Sequence, residues 1–379
     1  MIFYFLPLKD QVKGIIFLAI KIISGGMVMF EQGVIRPPSE AFSLLVRVTR
    51  NCPWNRCLIC PAYKGTSFSR RSVEEVKRDI DMMAEAYGSQ TSRIMSAFLQ
   101  DADTLILPTA ELIDIMKYLK VRFPAITRIT TYARAKSMKK KSIDSYKQLR
   151  DAGLTRIHTG MESGSLKVLK MIRKGITPDD ILTGGLRVMA SGISLSEYII
   201  PGVGGKTMSQ EHALETARLL NEIRPNFIRV RTFAMHPESP MQKMVADGTF
   251  VHMNDEEIVA EIRLLVENLD EMHSHFRCGD FSLNLLMQVD GFLDTQKKAM
   301  LEELDKYLSL TSEEKQAYSF LQRSYPGQRP FDVVKDPKAL KQLSREVEKL
   351  GKKGEDGFNK YIRMVMSSQL PQPQTDKWM

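Results

Sequence analysis

Cysteine is scarce: the 379-residue chain has four. That is too few to staple a chain of this length, which excludes a disulfide scaffold. No apolar run approaches the roughly 20 residues that span a bilayer. The best candidate, Gly14-Ile15-Ile16-Phe17-Leu18-Ala19-Ile20, is cut short by Lys21. It resembles a signal-peptide core, but no small-x-small cleavage site follows, so export is not expected. Residues 1–33 are expected to be a poorly ordered apolar tail, with Met27 or Met29 as the true start. Charge of one sign does not accumulate either. The net charge is +9, yet acidic and basic residues interleave along most of the chain. Such interleaving marks a solvated surface, so a nucleic-acid partner is possible but not favoured.

What is present suits a large globular core, with 43% hydrophobic and 26% charged residues. Strand-like and helix-like stretches alternate. The strand-like ones are residues 43–50, 95–100, 126–133, 154–159, 194–200 and 227–233. Between them lie helical patterns at about 73–83, 109–120, 139–152 and 208–222. The first of these opens on Ser72-Val73-Glu74-Glu75, a capping box. Six strands alternating with helices imply parallel βαβ units. The expected fold is α/β, a partial (β/α)6 TIM-type barrel over residues 34–254. A helical extension is expected over 255–379. No internal repeat appears beyond the βα alternation itself.

Three of the four cysteines fall within Asn51-Cys52-Pro53-Trp54-Asn55-Arg56-Cys57-Leu58-Ile59-Cys60-Pro61. The spacing is Cys-x4-Cys-x2-Cys, just after the first strand. Cys-x2-Cys brings two thiolates to one ion or cluster from a tight turn, and the flanking prolines limit the loop's freedom. A structural zinc site needs four closed ligands, and no fourth Cys or His lies nearby. An iron–sulfur cluster is normally held by four thiolates, so three would leave one iron open to a substrate. Zinc with a distant fourth ligand stays open as the alternative.

These residues resemble the radical S-adenosylmethionine (SAM) superfamily. There, three cysteines bind a [4Fe-4S] cluster and SAM chelates the fourth iron. Reductive cleavage of SAM then yields a 5′-deoxyadenosyl radical. The usual spacing is Cys-x3-Cys-x2-Cys; this chain has one residue more in the first gap. The residue before the last cysteine, often aromatic and near the adenine, is Ile59 here. Residues 159–165 (TGMESGS), followed by Leu169-Lys170 and Lys174-Gly175-Ile176-Thr177, are similar to a run in the coproporphyrinogen-dehydrogenase-like and methylthiotransferase-like branches.

The resemblance implies that Cys52, Cys57 and Cys60 ligate the cluster and that Glu162 reaches SAM. Asp101, after the second strand, stands where the family's amino-group motif stands; it could equally cap a loop. Arg134, after the third strand, would pair with the SAM carboxylate or make a structural ion pair. Gly202, in residues 199–206 (IIPGVGGK), matches the segment beside the adenine or makes a turn. Phe233 ends the sixth strand. In (β/α) barrels the chemistry lies at such strand ends. A reductant such as flavodoxin or ferredoxin, an unknown substrate and an oxygen-poor cytoplasm complete the expectation. The alternatives are an iron–sulfur electron carrier and a zinc-stabilised nucleic-acid-binding module.

Two weaker signals remain. Residues 273–278 (HSHFRC) read as a helix end with a buried Cys278, or as a second metal site. His236 and Glu238 either touch substrate or cap a loop.

Overall fold

The computed structural model describes residues 17–23, 26–326, 328–352 and 356–371. It opens with an antiparallel hairpin of β1 (Phe17–Ile23) and β2 (Gly26–Gln32). Residues 17–23 and 26–32, expected as part of a poorly ordered tail, form this hairpin; residues 1–16, 24 and 25 of that tail lie outside the described residues. The hairpin's end is tied down by charge. Buried Glu31 accepts from Arg47 at 3.0 Å and from Arg50 at 2.8 Å, and its N–H donates to Asp79 at 3.2 Å.

The alternation then follows as the patterning predicts. Strand β3 (Leu44–Arg47) leads to a small antiparallel pair, β4 (Thr49–Arg50) and β5 (Ser69–Arg70), that brackets the cysteine loop. Next come α1 (Val73–Tyr87), β6 (Ser96–Gln100), α2 (Thr109–Arg122) and β7 (Arg128–Ala133). Helices α3 (Ala135–Lys140) and α4 (Ile143–Ala152) precede β8 (Leu154–Glu162). Then follow α5 (Leu166–Met171), α6 (Pro178–Ala190), β9 (Ser194–Ile199), α7 (Gly205–Ile223) and β10 (Phe227–Val230). Six strands in this alternation give the βα order of a partial (β/α)6 TIM-type barrel.

The chain forms two compact units. One takes in the described residues up to Gly160 and Asp179–Glu197; the other takes in Met161–Pro178 and Tyr198–Pro371. The expected boundary at 254/255 therefore falls inside the second unit.

In the first unit β3, β6, β7 and β8 pair in parallel, with Leu45 opposite Phe98, Phe98 opposite Thr130 and Thr131 opposite Ile157. All four residues of β3 are buried, as expected of a parallel strand covered on both faces. The Ser72–Glu75 capping box forms at the start of α1, with bonds of 3.1 and 2.8 Å. Helix α4 ends on Gly153, whose φ of +118° suits a residue without Cβ.

In the second unit the chain continues through α8 (Met241–Ala246) and α9 (Asp255–Asn268) to β11 (His275–Arg277) and β12 (Asp290–Phe292). Strand β11 pairs parallel with β10 and antiparallel with β12. Residues 273–278 are thus a strand with flanks, not a helix end. Ser274, Phe276 and Cys278 are buried while His275 and Arg277 are half-buried, the two-residue period of a strand. That alternation turns Cys278 away from His275, which bonds Asp290 at 2.8 Å; His273 bonds Asp294 at 2.8 Å. Helices α10 (Leu293–Leu308), α11 (Ser312–Ser324), α12 (Pro330–Val334), α13 (Pro337–Gly351) and α14 (Gly357–Ser367) form the expected helical extension. Among the described residues no helix is long and apolar enough to cross a membrane.

Candidate cluster and cofactor site

The cysteine loop is braced by its own polar side chains. Asn51 and Asn55 take positive φ values of 64° and 44°, where asparagine is among the better tolerated residues. Asn55 donates from Nδ2 to the carbonyls of Tyr63 at 2.6 Å and Thr66 at 3.1 Å. Asn51 Nδ2 donates to Ser67 O at 2.6 Å. Lys64, buried, donates from Nζ to Asn55 O at 3.0 Å. Burial lowers the Lys64 pKa, and Cys60, Cys57 and Cys52 all raise it again. The three half-buried thiols therefore share one electrostatic neighbourhood around this ammonium. None of the four cysteines is in a disulfide.

Asp101 closes the loop at both ends. Its carboxylate accepts from Arg47 at 2.7 Å, from the Asn51 N–H at 3.1 Å and from the Tyr63 hydroxyl at 3.1 Å. A Cβ on Gly33 would stand 2.1 Å from its Oδ1, so Gly33 is needed for the close approach. Burial raises the Asp101 pKa, and Arg47 opposes it. Both oxygens are committed to protein donors, so the geometry gives Asp101 a clasping part rather than direct contact with a ligand.

Arg134 comes to the same loop through Trp54. Its guanidinium carbon lies 5.5 Å from the Trp54 ring centre, and that of Arg56 lies 5.3 Å away. The Arg134 N–H donates to Asp103 at 3.2 Å. Ile59 is half-buried beside Cys60. The first unit thus gathers Cys52, Cys57, Cys60, Asp101 and Arg134. Sequence reasoning missed the braces Asn51, Asn55, Tyr63 and Lys64. Two asparagines beside prolines and cysteines are a readable turn signal; the Tyr63 and Lys64 contacts are not.

In the second unit Glu162 ends β8 with a φ of +61°, a left-handed backbone uncommon for a residue with a side chain. Its carboxylate is paired with Lys174 at 2.5 Å. The Ser163-Gly164-Ser165 that follows docks on α7. Ser163 Oγ bonds His212 Nδ1 at 2.8 Å, and the Gly164 N–H donates to Thr216 at 2.9 Å. A Cβ on Gly164 would stand 2.2 Å from the Glu215 carbonyl oxygen. Ser165 caps α5 and donates to Glu211 at 2.7 Å.

Gly202 takes a φ of +85° and donates its N–H to Glu261 at 2.7 Å. Burial pushes Glu261 up to about 7 and His212, 3.7 Å from it, down to about 4. Phe233 donates its N–H to Pro201 O at 2.8 Å and meets Phe250 edge-on. His236 is buried and accepts from the Glu238 N–H at 3.2 Å, so this pair caps a loop.

A scan against family descriptions matches the radical SAM superfamily over residues 46–220. Residues 46–220 thus form a radical SAM domain. It is 26% identical over 166 residues to an uncharacterized methyltransferase of Pyrococcus horikoshii, a match covering 41% of this chain and 32% of that protein. It is 28% identical over 167 residues to the 4′-phospho-dehydrooxetanocin synthase of Priestia megaterium, covering 40% and 22%. The chain therefore spans a third or less of these curated relatives. Among solved structures it resembles coproporphyrinogen III oxidase from Escherichia coli, with a TM-score of 0.44, 17% identity, and coverage of 62% and 54%.

The radical SAM superfamily uses a [4Fe-4S] cluster and SAM. The donor set here fits that cluster. Among the described residues no three His, Cys, Asp or Glu side chains gather as they would around a single metal ion. A [4Fe-4S] cluster takes one thiolate on each iron, and Cys52, Cys57 and Cys60 are three half-buried thiols of one loop.

Proposed function

We propose that the protein is a radical SAM enzyme in which Cys52, Cys57 and Cys60 hold a [4Fe-4S] cluster. When bound, the cluster and SAM supply reductive cleavage to a 5′-deoxyadenosyl radical, which acts on a substrate not yet identified. The observation that carries this reading is the braced cysteine loop, with three thiols around one buried ammonium in a radical SAM domain. Lys64 offsets part of the negative charge that three thiolates bring into a half-buried loop. Asp101 and Tyr63 keep the loop ends together. Arg134, stacked on Trp54, offers its guanidinium to the SAM carboxylate, since an arginine fork matches a carboxylate bidentately. Glu162, held by Lys174, accepts from SAM hydroxyl or amino groups. Ile59, Gly202 and Phe233 offer backbone and apolar surface to the adenosyl part. The protein's further task is to keep water from the reacting centre. A flavodoxin- or ferredoxin-class reductant and a cytoplasmic setting of low oxygen suit such a centre.

The test is anaerobic reconstitution with iron and sulfide, followed by dithionite and SAM. A brown protein that releases 5′-deoxyadenosine is expected. Cys57→Ala should lose both the colour and the release. A brown protein that never cleaves SAM would make it an electron carrier, and a colourless, zinc-bearing one would overturn the cluster.

A further inference from the structure

The second unit contains a cleft of about 370 Å³ between the chain after β10, the start of α9, and α14. That volume is in the range of small-molecule sites. Its apolar lining comes from Phe233, Met235, Met253 and Ile258 and, on α14, from Ile362 and Met366; Gln242, Asn254, Asn359 and Ser367 also line it. Ile362 and Met366 stand four residues apart, on one face of α14, and are anchored by Leu283 and Leu370. This wall therefore has a fixed shape, not that of a loose tail.

Charge in the cleft has one sign to spare. Asp255 lines it but is bound to buried Arg323 at 2.6 Å. Arg363 holds Asp356 at 2.6 Å through one of its nitrogens, leaving others. Lys360, one turn before Arg363 on α14, is exposed and makes no ion pair among the described residues. His252, which also lines the cleft, is kept neutral at neutral pH by burial and by Arg363, which bring it down to about 4. An apolar slot with two cations at its rim and a neutral imidazole beside them suits one chemical class.

We infer that this cleft is the substrate site, and that it takes an amphipathic anion whose apolar body lies along Met235, Met253 and Met366. Its carboxylate or phosphate meets Lys360 and Arg363. The inference deepens the proposed radical SAM reading and rests on it. It assigns substrate choice to α14, in the helical extension, rather than to the βα loops alone.

The test uses the full chain, reconstituted anaerobically, with octanoate, octyl phosphate and octyltrimethylammonium as probes in isothermal titration. Octanoate or octyl phosphate should bind one per chain, at least about tenfold more tightly than the cation. The better of the two identifies the headgroup. Lys360→Glu should weaken the anion about tenfold and improve the cation. Met364→Trp, at an exposed position lining the cleft, should block every probe. Equal binding of anion and cation, no saturable binding, or displacement of octanoate by adenosine would each overturn the inference. SAM cleavage is measured on the same preparations. Selective anion binding without cleavage would sink the enzyme reading while leaving the cleft's preference standing; cleavage without selective binding would do the reverse.

Discussion

Asp101 illustrates how a carboxylate can serve a ligand loop without touching a ligand. Its position after β6 is legible in the sequence, but its partners Gly33, Arg47, Asn51 and Tyr63 are not, because they come from 38 to 68 residues away. Strand-end position alone suggests contact with SAM; burial and three donors make it a clasp. Asp101→Ala leaves buried Arg47 and the Tyr63 hydroxyl short of an acceptor, and should cost about 3–5 kcal/mol in urea unfolding. Iron retained after reconstitution should fall with it. Wild-type stability and iron content in that variant would contradict the clasp. Glu261 gives a second residue-scale prediction. Burial raises its pKa from 4.5 to about 7, so the folded chain keeps a proton that the unfolded chain releases. Its contribution is complete below about 4.5 and is lost as pH rises to about 7. His212, lowered from 6.5 to about 4, acts oppositely, losing stability as pH falls through that window. The two slopes oppose each other in the wild type. Glu261→Gln should remove one slope, so that stability rises by on the order of 3 kcal/mol between pH 4 and 6.5. Denaturation curves at pH 4.5, 5.5 and 6.5 would check this; a variant as flat as wild type would refute it.

At the scale of elements, the six βα repeats were readable because each strand carries an apolar run and each helix a 3.6-residue period. The strands β11 and β12 were not readable, being three residues long each. Their pattern is weaker than that of the adjoining helices, and only the pairing of β11 with β10 and of β12 with β11 makes them strands. The hairpin of β1 and β2 was hidden by the apolar look of the N-terminal stretch. The contact between the Ser163-Gly164-Ser165 turn and α7 was hidden for another reason: a glycine in a motif invites a ligand explanation, whereas this one is demanded by a carbonyl. Gly164→Ala should therefore destabilise by about 1–3 kcal/mol through overpacking against Glu215. Differential scanning calorimetry would register it as a lowered Tm, and an unchanged Tm would mean that α7 shifts freely.

At the scale of the whole molecule, the fold class and helical extension were legible, but the division into compact units was not. A boundary at 254/255 follows the change in composition, whereas the compact units divide within β8 and β9. Compactness depends on contacts that composition does not encode. The bracing of the cysteine loop by Asn51, Asn55 and Tyr63 predicts that the chain holds its fold without metal. Chelation of iron should leave the far-UV circular dichroism unchanged while abolishing visible absorption. A cooperative loss of helix on chelation would mean that the cluster, not the braces, maintains the loop. A last consequence concerns the Ser163-Gly164-Ser165 stretch after β8. Since two serines and a glycine in it join a turn to a helix, a sequence search keyed on those letters detects a joint of the scaffold together with Glu162. Proteins that share the letters share at least that carpentry, whatever molecule they alter.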